Sequence, residues 1–112
     1  MSALKVSVQI ESPHALRQMR ESPRVVQDSL KRQALALDGE PFKGTFIVMA
    51  RVPRRALAIW QTRIGAIPNL YKLDLPQGWR ALYFVASNEE RRDVFVIEVV
   101  SHKEYERLLG YG

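Results

Sequence analysis

A chain of 112 residues with a formal net charge of +5 is one domain's worth of sequence, large enough for a core of its own. It has no cysteine, which excludes disulfides and thiolate metal centres and permits a reducing compartment. There is no long apolar span or signal-like start, so the expectation is a soluble, cytoplasmic protein that does not meet a membrane.

Residues 4–10 alternate, with Leu4, Val6, Val8 and Ile10 on one face and Lys5, Ser7 and Gln9 on the other, as a first strand does. Ser12-Pro13 and Ser22-Pro23 each read as an N-cap followed by proline at the first helical position. The first helix is therefore short. The second carries Val26, Leu30, Ala34 and Leu37 at helical spacing, keeps Arg24, Lys31 and Arg32 outside that stripe, and stops at Asp38-Gly39. Residues 45–52, with the run Phe46-Ile47-Val48-Met49, read either as an additional strand or as an apolar loop packed on the core. A third helix is expected over 53–64, with Leu57, Trp60 and Ile64 inward and Gly65 ending it. Arg54 and Arg55 in its first turn oppose the helix macrodipole. A nearby anion would relieve them, and simple exposure beside a turn is the alternative.

Residues 70–75 alternate again, Pro76-Gln77-Gly78 is a turn, and 79–86 is aromatic and aliphatic, so the two runs form an antiparallel hairpin. That turn sets Leu75 opposite Trp79 and Asp74 opposite Arg80, and puts Lys72 on the face away from Tyr71 and Leu73. Residues 87–92 form a polar turn. Residues 94–100 are apolar except for Glu98, as expected of a central strand covered on both faces. A helical turn over 103–109 would set Tyr105 on the same face as His102. Tyr71, Trp79 and Tyr83 suit core packing. His14 follows a helix start and has no partner in the sequence, so no role is assigned to it. No metal-ligand spacing and no phosphate-binding glycine loop stands out, so the expectation is no cofactor and, for an enzyme, metal-independent chemistry.

The charge is unevenly placed. Between positions 43 and 80 lie Lys43, Arg51, Arg54, Arg55, Arg63, Lys72 and Arg80 against Asp74 alone, a local +6, while the rest is nearly neutral. Such a block suits RNA, DNA or an acidic protein, and equally a solvated surface.

Tyr71-Lys72-Leu73 on one strand, Gly78-Trp79-Arg80-Ala81-Leu82-Tyr83 on the next, Val94-Phe95-Val96-Ile97 on a third and a polar ending with His102 and Tyr105 together resemble the RelE/ParE superfamily of bacterial and archaeal toxin–antitoxin toxins. The ending from His102 to Tyr111 looks like an archaeal RelE-like branch. The resemblance covers the C-terminal two fifths well and the N-terminal helices in their order only. It implies an α+β domain, with an antiparallel sheet of about four strands, N-terminal helices packed on one face and a basic concave surface on the other. It also implies a metal-independent endoribonuclease cutting mRNA on the ribosome, partnered by an antitoxin protein.

Carried over residue by residue, Lys72 matches the first lysine of the family's strand motif, and Arg80 matches the arginine that stabilises the phosphate. His102 falls near the general acid or base, and Tyr105 near the terminal aromatic that orients substrate. Lys43, Arg51, Arg54, Arg55 and Lys103 are the expected nucleic-acid contacts. Two departures stand out. Asp74 sits where many ribonuclease members carry a second base, and the chain does not pass directly from the second helix to the hairpin. A ParE-like inhibitor of a DNA topoisomerase, or a catalytically degenerate binding module, is the alternative that Asp74 favours.

Overall fold

Proline sets the start of both N-terminal helices. The computed structural model describes residues 5–10 and 12–110; Leu4 at the head of the expected first strand and Tyr111 at the end of the family-like motif lie outside them. A strand β1 (Lys5–Gln9) leads into helix α1 (Pro13–Glu21), whose first residue is Pro13, where the missing N–H costs nothing. Helix α2 (Arg24–Gly39) follows directly. Neither Ser12 nor Ser22 caps a helix through its side chain; the Ser22 hydroxyl instead donates back to the Met19 carbonyl at 2.6 Å and closes α1.

The disputed segment combines both readings. Thr45–Phe46 is a two-residue strand, β2, and the backbone then leaves the sheet through a 3-10 turn at Met49–Arg51. Helix α3 (Arg54–Ile64), strands β3 (Tyr71–Asp74), β4 (Arg80–Ser87) and β5 (Arg91–Val100), and helix α4 (His102–Leu109) complete the chain. The sheet order is β1-β5-β4-β3-β2. The strands β2 to β5 are antiparallel neighbours, as expected, and β1 adds to β5 in parallel. A parallel return needs a long crossover, and the whole stretch between β1 and β5 provides it.

β1 pairs only with residues 91–95 of β5. Beyond that point α1 takes over the edge, and the Gln18 Oε1 accepts the Val99 N–H at 2.8 Å. Val8 of β1 and Ile10 just beyond it pack against the core.

Alternation along β4 sends Ala81, Tyr83 and Val85 to one face and Leu82 and Phe84 to the other, all of them buried. Both faces are therefore apolar, and both need a cover. The first is covered by α2, through Val26, Leu30 and Leu37. The second is covered by Ala56 and Trp60 of α3 and by Tyr105 and Leu109 of α4. This corrects the expected open basic surface opposite the N-terminal helices. An unpaired layer of Leu82, Phe84, Ile97 and Val100 would leave a large apolar patch in water, and the inserted α3 removes it.

One close approach explains a glycine. A Cβ on Gly44 would lie 2.6 Å from the Tyr83 hydroxyl and 2.8 Å from the Lys72 carbonyl oxygen, while the Gly44 N–H donates to that hydroxyl at 2.9 Å. Burial pushes the Tyr83 phenol above its ordinary value, against the opposing effect of the Gly44 donor. A raised folded-state pKa means the folded chain holds the proton more tightly, so stability is complete below the free tyrosine range and falls as pH climbs above about 10. Tyr83→Phe is expected to cost about 1 kcal/mol at neutral pH by orphaning the Gly44 N–H and to remove part of the alkaline loss. Urea denaturation followed from pH 7 to 11 measures both, and an unchanged alkaline slope contradicts the assignment.

Candidate functional site

The hairpin that carries the site is set by its turn. Gln77 and Gly78 both have positive φ, 59° and 79°, and the Trp79 N–H donates to the Pro76 carbonyl at 3.2 Å, a type I′ arrangement matched to the twist of paired strands. The Leu75 N–H donates to the Trp79 carbonyl, and Asp74 pairs with Arg80, in the expected register. Leu73 and Leu75 consequently point into the α2 core, with Tyr71 and Trp79 packed beside them. Lys72, Asp74 and Arg80 point the other way, towards α4.

Arg80 is held at several points. Its Nη1 donates to the carbonyls of Gly78 at 2.7 Å and Trp79 at 3.1 Å, while its Nε lies 3.0 Å from the Asp74 carboxylate. That last approach is a charge contact, since the Nε–H is not aligned for a hydrogen bond. The Lys72 ammonium is 3.5 Å from the same carboxylate oxygen. Both cations also lie over the ring of Tyr105, with Lys72 Nζ at 5.8 Å and the Arg80 guanidinium carbon at 5.6 Å from its centroid. The result is two half-buried cations fixed between a buried aromatic ring and an exposed carboxylate.

Ser101 caps α4, its hydroxyl accepting the Glu104 N–H at 3.3 Å, and this places His102 at the first helical position. The His102 side chain packs against the hairpin turn, where a Cβ on Gly78 would come within 3.1 Å of it. Its Nε2 is 2.7 Å from Glu106. His102 therefore sits beside the turn whose carbonyls hold Arg80, exposed to solvent, whereas Tyr105 is buried beneath the cations. The two side chains approach the site from different levels. Lys43, Arg51, Arg54, Arg55 and Lys103 are all exposed.

One cluster escaped the sequence reading. Glu98 is 4 % exposed, and its Oε1 receives Nε2 of His14 at 2.7 Å and Nε2 of Gln18 at 3.0 Å, while Oε2 receives the Trp60 indole N–H at 3.3 Å. A lone carboxylate in the otherwise apolar run 94–100 was the available signal. Its partners lie between 38 and 84 positions away along the chain, where no local pattern reaches.

Set beside known structures, the whole chain finds one architecture. A variant of the E. coli toxin RelE in the free state, with two arginines replaced by alanine, superposes with a TM-score of 0.55 over 97 % of this chain and 96 % of that one, at 21 % identity. The fold is RelE-like. The same variant in complex with an antitoxin RelBc peptide aligns with a TM-score of 0.49 over 95 % of this chain and 94 % of that one, at 19 % identity. No protein-family model matches the chain, and no curated protein matches it. Within this RelE-like frame, the cation pair lies on the hairpin and the histidine and tyrosine on the terminal helix. No helix among the described residues is long and apolar enough to cross a membrane.

Proposed function

We propose that this chain is a toxin of the RelE kind, a cytoplasmic endoribonuclease that cuts mRNA during translation and is held in check by an antitoxin protein. The observation that carries the reading is the Lys72–Arg80 pair, fixed over Tyr105 on a RelE-like sheet. Cleavage of an RNA strand by its own 2′-hydroxyl needs a base to take that proton, cations to stabilise the charge developing on the phosphate and an acid to protonate the leaving 5′-oxygen. In this scheme Arg80 and Lys72 hold the phosphate, and backbone carbonyls keep the Arg80 guanidinium in place before substrate arrives. His102, whose imidazole can both take and give a proton, carries the proton, with Glu106 orienting its ring. Tyr105 supports the two cations from below and so orients the phosphate they hold.

Asp74 acts against this arrangement. Its carboxylate touches both cations, so an arriving phosphate competes with it, and the free site is partly neutralised. Asp74 is itself exposed and able to swing away. Antitoxin binding has large apolar side chains left in water to use, among them Leu35, 78 % exposed, and Phe46, 58 % exposed.

The test of the enzyme reading is purified protein incubated with free RNA and with mRNA under translation, and scored for cleavage. A second expected result concerns the basic block. Changing Arg51, Arg54 and Arg55 together to Ala should weaken RNA binding and flatten its dependence on salt, because each lost phosphate contact removes a released counterion. Equal affinity and equal slope in filter binding would assign the three arginines to solvent or to the antitoxin.

A further inference from the structure

Between α1, α3 and α4 lies a cavity of about 440 Å³, within the size range of small-molecule sites. It contains none of Lys72, Arg80, His102 or Tyr105, so it is separate from the proposed cleavage site. Its polar floor is the buried cluster of Glu98, His14 and Trp60. Apolar wall is supplied by Ile59, which is 41 % exposed, and by Val100. Three arginines, Arg55 and Arg63 from α3 and Arg107 from α4, also line it, outnumbering the one further carboxylate there, Glu104, and none of the three forms an ion pair among the described residues.

The floor has an unused acceptor. Glu98 Oε1 already takes two donors, His14 and Gln18, so the His14 Nε2 carries its proton there. Oε2 takes one long bond from Trp60 at 3.3 Å and retains lone-pair capacity. A buried carboxylate oxygen facing a cavity selects a ligand that presents N–H donors. The apolar wall selects a body able to lie against it, and the arginines select an anionic group at the other end.

We propose that this cavity binds a nucleoside phosphate unit, with the donor edge of its base on Glu98, the base against Ile59 and the phosphate on Arg55, Arg63 and Arg107. Guanine fits best, since its ring N–H and amino group lie side by side and either can donate to Oε2, whereas the single ring N–H of uracil is flanked by two carbonyl oxygens that a carboxylate repels. A carboxylate-tailed lipid would satisfy the arginines and the wall but offers nothing to Glu98. The unit is supplied either by a free mononucleotide or by a nucleotide within single-stranded RNA.

Titrating the full chain with 5′-GMP, with UMP and inorganic phosphate as comparators and Trp fluorescence or amide NMR as the readout, tests this. GMP should bind saturably and about tenfold more tightly than UMP, with phosphate weaker than either. The double change Arg63→Ala and Arg107→Ala touches exposed side chains, so the fold survives, and it should weaken GMP about tenfold or more. Glu98→Gln should erase the preference for GMP over UMP. A guanosine-containing oligoribonucleotide that displaces GMP from this cavity identifies RNA as the source; failure to displace it identifies the free nucleotide. Absence of saturable binding by both GMP and the oligoribonucleotide, or GMP binding indifferent to the arginine changes, overturns the proposal. Either result leaves the cleavage test at Arg80 untouched.

Discussion

Arg80→Ala is expected to lower RNA cleavage by roughly a hundredfold or more, the loss typical of removing a preorganised charge stabiliser. The geometry makes Arg80 the stronger of the two cations. Its guanidinium is fixed by two backbone carbonyls and lies over the Tyr105 ring, so it pays little ordering entropy when the phosphate arrives. Lys72 hangs on a flexible stem and should cost less when removed. His102→Ala should fall by a similar hundredfold, as loss of a general acid–base group does, with the fold intact because the side chain is mostly in solvent. Asp74→Asn supplies the opposite sign. It keeps the size of the side chain while removing the charge that lies on both cations, so cleavage should rise. The measurement is cleavage of translated and free RNA by antitoxin-free protein, beside growth of a bacterial host on induction. If wild-type protein cuts neither substrate and none of these changes alters toxicity, the ribonuclease reading gives way to a topoisomerase inhibitor or a binding module.

Trp60→Ala should cost about 3–5 kcal/mol of folding stability. Trp60 is 1 % exposed and is among the largest side chains in the layer that joins α3 and α4 to the sheet. Its removal opens a cavity and also leaves Glu98 Oε2 without its indole donor. Trp60→Phe separates the two effects, since it keeps most of the apolar volume and loses the N–H, and should cost appreciably less. Urea denaturation of both variants gives the comparison. A loss below about 1 kcal/mol for Trp60→Ala would show that α3 lies outside the cooperative core, and the second apolar layer would then be a surface attachment.

Local pattern by itself determined the helices, every strand but β2 and the register of the hairpin. Period-2 alternation over 70–75 and the three-residue turn were enough to set Asp74 opposite Arg80 and to turn Lys72 away from the core, because a hairpin's register follows from its turn. The stripe Val26, Leu30 and Leu37 likewise announced the face of α2 that is buried. Tertiary structure decided what covers the second face of the sheet. Trp60 read as inward from its helical spacing, but inward towards which layer is a question of three-dimensional packing, and the answer filled the face expected to be open and basic. The same limit hid the Glu98 cluster. His14, Gln18 and Trp60 meet one carboxylate from two helices far apart in the chain, and burying a charge is tolerable only where such donors converge. Sequence spacing records the neighbours of a residue along the chain; which donors reach a buried oxygen depends on how the layers close around it.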